Sequence, residues 1–114
     1  MRKTTQAEFD RFKIECIRLQ KEWGLLDYSL YFTHHTPADA FATCAVDEEG
    51  CTARLSLTGK FTVPDAPPVE LLAKHEMIHL LIGRVEWVGR CRWATDSELD
   101  AEVERLAVKL EKLI

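Results

Sequence analysis

The sequence predicts an α+β domain spanning residues 1–114, with an N-terminal helix, a three-stranded, mainly antiparallel sheet, a central helix and a C-terminal helix. Three observations predict it. Apolar residues recur with a helical period at both ends of the chain. The period falls to two in the middle. Between the middle and the last helix lies a stretch, Val69 to Ile82, that is apolar almost all round.

The first helix is predicted from about Gln6 to Trp23. Thr5 with Glu8 three residues on forms a capping box. Phe9, Phe12, Cys16, Leu19 and Trp23 give one buried face, and Gly24 is a natural stop. Tyr28 to Thr33 reads as an aromatic-rich strand, Ala40 to Val46 as a second and Thr52 to Thr58 as a third. Asp47-Glu48-Glu49-Gly50 is a turn, which makes the second and third strands a hairpin. Thr52, Arg54, Ser56 and Thr58 alternate with Ala53, Leu55 and Leu57, so one face of the third strand should be wet. His34-His35-Thr36-Pro37 forms a loop between the first two strands.

Asp65 is a candidate cap for the central helix, with Pro67 and Pro68 in its first turn. Its apolar character places it in the centre of the domain. Gly83 should end it. The last helix starts near Asp96 or Ser97, either of which can cap it. Leu99, Val103, Leu106, Leu110 and Leu113 form its apolar stripe.

Composition narrows the function. The formal net charge is −4, which argues against nucleic acid as a partner, because phosphate binding needs a basic face. No apolar run approaches the roughly 20 residues of a membrane span. Charges run throughout Met1 to Leu25, so no export signal is expected there. A cytoplasmic location follows as an expectation, with Cys16, Cys44, Cys51 and Cys91 as reduced thiols. A thiol zinc module built from Cys44, Cys51 and Cys91 is disfavoured by their irregular spacing.

The chemistry is concentrated in His75-Glu76-Met77-Ile78-His79, an HExxH sequence on the central helix. Residues i and i+4 of a helix share one face, so two imidazoles can chelate one metal ion. Glu76 projects beside them, where it can take a proton from a zinc-activated water. Burying two histidines and a glutamate in an apolar helix is costly unless something satisfies them, and a metal satisfies all three. Zn²⁺ is the expected ion. A catalytic zinc needs a third protein ligand. A histidine six residues after His79 would supply one, but that position is Val85. Glu98-Leu99-Asp100-Ala101-Glu102 on the last helix offers an acid instead. Glu98 is the expected ligand, with Glu102 as the acceptor that orients a ligand imidazole. The two roles are interchangeable at this level. Glu86, about two turns from His79, is a poorer candidate.

HExxH followed by E-x-x-A-[D/E] on the next helix resembles the gluzincin pattern. The short chain, over about residues 6 to 113, resembles the minigluzincins and the metallopeptidase-like proteins of phage and prophage genomes. The resemblance implies a minimal zincin-like fold and a zinc metallopeptidase. His75, His79 and Glu98 would be ligands and Glu76 the base. It also implies a peptide or protein substrate held along an edge strand, for which Thr52 to Thr58 is the natural match. One departure is visible. No Tyr or His follows His79 to stabilise an oxyanion; Arg84, Arg90 and Arg92 are the strong donors there, and His34 and His35 lie on a loop. That departure keeps open a non-catalytic zinc-binding regulatory or adaptor domain. An amidase acting on a peptide-like bond is a third reading.

Overall fold

The computed structural model describes residues 2–35 and 40–111. Thr36 and Pro37 of the predicted loop, and Leu113 of the last stripe, lie outside them. The elements are β1 (Arg2–Lys3), α1 (Gln6–Glu22), β2 (Ser29–Thr33), β3 (Ala42–Asp47), β4 (Thr52–Leu57), β5 (Lys60–Phe61), α2 (Val69–Arg90) and α3 (Asp96–Glu111). The α+β class and the predicted order of main elements hold. The short antiparallel β1–β5 pair adds a second, two-stranded sheet.

Helix α1 starts on the predicted capping box. The Thr5 hydroxyl accepts from the Glu8 N–H at 3.0 Å, and the Glu8 carboxylate accepts from the Thr5 N–H at 3.0 Å. Its predicted face, Phe9, Phe12, Cys16, Leu19 and Trp23, is buried. Gly24 takes the left-handed conformation (φ 68°) that a tight exit from a helix requires.

The main sheet has the order β2-β4-β3. The β3–β4 hairpin is antiparallel, whereas β2 pairs with β4 in parallel. The sheet is therefore mixed rather than mainly antiparallel. The chain leaving β2 passes over to the far edge to begin β3, so β4 enters the sheet between them. Register then places Leu30 and Phe32 beside Ala53 and Leu55, which stand beside Val46 and Cys44. All six face the core, as a period of two demands. The wet face of β4 holds at Arg54 but not at Ser56 or Thr58, which are buried. A hydroxyl pair with Thr33 satisfies Ser56, and Thr58 donates to the Lys60 carbonyl.

Two expectations about α2 are corrected. Gly83 does not end the helix, which continues to Arg90. A glycine inside a helix costs about 1 kcal/mol relative to alanine. Burial of Leu80, Leu81 and Val88 on either side of Gly83 outweighs that cost. The helix is also not buried all round, since Leu71 and Ile78 are exposed. Its N-cap is Pro68, with no side-chain cap from Asp65. Helix α3 is capped by Thr95, whose hydroxyl accepts from the Glu98 N–H at 3.1 Å, one residue before the predicted caps.

Helix α3 returns along α2. Leu106 packs on the core, while Val103 and Leu110 stay exposed. Near its C-terminal end the Lys109 ammonium donates to the carbonyls of Trp23 and Gly24 at 3.1 and 2.9 Å. Among the described residues no helix is long and apolar enough to cross a membrane.

Candidate metal centre

The middle of α2 brings together His75, Glu76 and His79, whose potential ligand atoms lie within 4.8 Å of one another. The imidazole centroids are 4.9 Å apart with the rings at 76°. This is the arrangement the i, i+4 spacing dictates. Among the described residues it is the one group of three or more His, Cys, Asp or Glu side chains that could hold a metal ion.

The three residues differ in burial. His75 and His79 are exposed, and only Glu76 is buried, at 7% exposure. The cost of burying a polar group therefore arises at Glu76 and not at His75 or His79. Burial pushes the Glu76 carboxyl above its usual range, and the neighbouring His75 and His79 pull it part of the way back.

The group lies on a cleft between β3 and α2. One part of the cleft, about 470 Å³, is bounded by Ala42, Cys44 and Val46 of β3 and by Glu76, His79 and Gly83 of α2. A smaller hollow of about 350 Å³ lies between Phe41 and Leu72, with His75 in its wall. Glu76 and His79 line both. Cys44 faces this region with its thiol pushed up to about 12, mainly by burial, so it stays protonated at neutral pH.

Strand β3, not Thr52–Leu57, is the sheet edge beside the metal group. Thr52 to Thr58 is not the edge strand that was expected there, because β4 has neighbours on both sides. Its N–H and C=O groups are spent on β2 and β3, and among the described residues β3 alone offers a free edge to the cleft.

Glu98 and Glu102 stand outside the group. Glu102 is held by Arg84 at 3.7 Å through one oxygen and by Arg105 at 3.0 Å through the other. Glu98 is exposed in the first turn of α3. The length of α2 explains its position. Glu102 meets Arg84, five residues beyond His79, and Glu98 lies one further turn away. That places Glu98 roughly 13 Å along the helix axis from His79. Had α2 stopped at Gly83, the last helix would have started much closer.

The donors weighed for an oxyanion are also engaged. Arg84 lies between Glu48 and Glu102, Arg90 pairs with Glu86 at 3.3 Å, and Arg92 stacks over Trp93. His34 stacks on Phe9 with centroids 4.5 Å apart. The Thr4 hydroxyl donates to the Thr58 carbonyl, so the 2.7 Å contact with His34 is an Nε2–H donating to Thr4. His34 and His35 border a different hollow, next to Lys3 and Lys60.

One cleft residue was not anticipated. Glu48, in the β3–β4 turn, is buried at 6% exposure and lines the cleft with Glu76 and His79. Tyr28 donates to its Oε2 at 2.7 Å, and Arg84 is 3.6 Å from the same oxygen. Its Oε1 is buried with no hydrogen-bond partner among the described residues. The available sequence signal was Gly83, a glycine inside an apolar helix, which marks a close approach. A Cβ there would stand 3.1 Å from Glu48 Oε1.

Comparison of the chain with protein-family models, with curated proteins and with solved structures gave no match in any of the three.

Proposed function

We propose that this protein is a zinc-dependent peptidase of minimal zincin-like fold, with His75 and His79 holding the metal and Glu76 acting as the base. The observation that carries the reading is a buried carboxylate set between two exposed imidazoles, on a cleft bordered by an unpaired strand edge. Two imidazoles with carboxylate oxygen nearby are a donor set that suits zinc.

When bound, zinc polarises the scissile carbonyl and lowers the pKa of a water to about 7. The chain's own residues do the rest. Glu76, a stronger base than an exposed glutamate because it is buried, accepts the proton of the attacking water and delivers it to the leaving amine. The free edge of β3 holds an extended peptide by backbone hydrogen bonds, and the cleft beside it takes alternate side chains.

One observation favours a second reading, a non-catalytic zinc-binding regulatory or adaptor domain. Arg84 and Arg90 each pair with a carboxylate and Arg92 lies over Trp93, so each of these three donors has a partner other than an oxyanion. A broad peptide library separates the two readings. Zinc-loaded protein is expected to cleave library members, to lose that cleavage to a chelator and to regain it with zinc. Zinc binding without any cleavage would support the adaptor. Failure to bind zinc would remove both.

A further inference from the structure

We infer that Glu48, rather than an acid of α3, is the third protein donor to the metal. The inference rests on the zinc-site reading above and concerns which residue completes that site.

Two imidazoles leave a catalytic zinc one protein ligand short. The supplier must be an oxygen, nitrogen or sulfur on the same cleft, free of other partners. Glu98 is too far along α3. Both oxygens of Glu102 are occupied by arginines. Cys44 is packed against the core.

Glu48 meets the requirement from its own surroundings. Its two oxygens are in unlike states. Oε2 is fixed by the Tyr28 hydroxyl and flanked by Arg84, whereas Oε1 has no partner among the described residues and is shielded from water. A carboxylate that binds a metal through one oxygen commonly has the other held by hydrogen bonds, which orient it. A buried carboxylate oxygen without a partner is otherwise costly, and a cation relieves that cost.

The helix is shaped for this approach. Gly83 follows His79 by four residues, so it continues the face that carries His75 and His79. Any side chain at 83 would crowd the space that Glu48 Oε1 enters. Glu48 lies outside the 4.8 Å group but on the cleft that Glu76 and His79 also line, with its other oxygen held by Tyr28 and flanked by Arg84.

The test is zinc affinity of the full chain, measured by competition with a chromophoric chelator, together with the visible spectrum of the cobalt(II) form. Glu48→Gln is expected to weaken zinc binding by more than about 100-fold, beyond the roughly 10–100-fold typical of an outer-shell change. It should also alter the cobalt spectrum. Glu98→Gln and Glu102→Gln should stay within a few-fold of wild type. If Glu48→Gln fails to fold, Gly83→Ala asks the same question. Alanine favours the helix over glycine, so a loss of zinc affinity of about tenfold or more would reflect crowding of Glu48 rather than a weakened fold. Near-wild-type zinc affinity in Glu48→Gln, or in Gly83→Ala where that variant must stand in, would overturn the inference and leave the zinc site intact. A larger loss in Glu98→Gln or Glu102→Gln would move the third donor to α3. No zinc binding by the wild type would overturn the reading beneath it.

Discussion

Replacing Glu76 with Gln is expected to cut peptide hydrolysis by about 10²–10⁴-fold while zinc stays bound. The substitution keeps the shape of the side chain and removes only its ability to accept a proton. Glu76 is buried and its carboxyl is held above the usual range by that burial. An uncharged amide is easier to bury than a carboxylate, so the metal-free fold should be no less stable. Its thermal unfolding without zinc should therefore match or exceed that of the wild type. The measurement is kcat/KM on the best library substrate at matched zinc occupancy. Hydrolysis that survives Glu76→Gln unchanged would leave the mechanism without its base. Loss of zinc in the same variant would make Glu76 a ligand instead.

The second large effect is on the metal itself. His75→Ala together with His79→Ala is expected to abolish zinc binding, because both imidazole donors on the α2 face disappear. The loss should exceed the roughly 10–100-fold typical of an outer-shell change. Both side chains are exposed, and alanine is the stronger helix former. The metal-free variant should thus fold as well as the wild type. Zinc binding stabilises only a chain that holds it, by about 4 kcal/mol at a free concentration 1,000 times the Kd. Added zinc should raise the Tm of the wild type and leave the double variant unmoved. An equal rise in both would place the ion elsewhere.

Local signals in this sequence were legible and non-local ones were not. The capping box of Thr5 and Glu8, the buried face from Phe9 to Trp23, the turn at Asp47–Gly50 and the pairing of His75 with His79 each depend on residues close in sequence. Periodicity and turn chemistry report such things directly. Strand order depends on where a chain crosses over, and nothing in Thr52–Leu57 marks it as central rather than edge. Gly83 was a real signal with two meanings. It reads equally as a helix stop and as a place where something approaches closely, and only the packing of Leu80, Leu81 and Val88 decides between them. That one ambiguity moved Glu98 away from the site, because it set the length of α2. Glu48 was hidden for a related reason. An acidic residue in a turn reads as solvated, and its burial arises from Tyr28 and Arg84, 20 and 36 positions away in the sequence.

X-ray absorption at the zinc edge of the loaded protein tests the central claim most directly. The account predicts only nitrogen and oxygen neighbours at about 2.0–2.2 Å, with the multiple-scattering signature of two imidazoles. That signature should vanish in the His75→Ala, His79→Ala variant. Sulfur at about 2.3 Å, from Cys44 or another thiol, or a spectrum without imidazole, would contradict it.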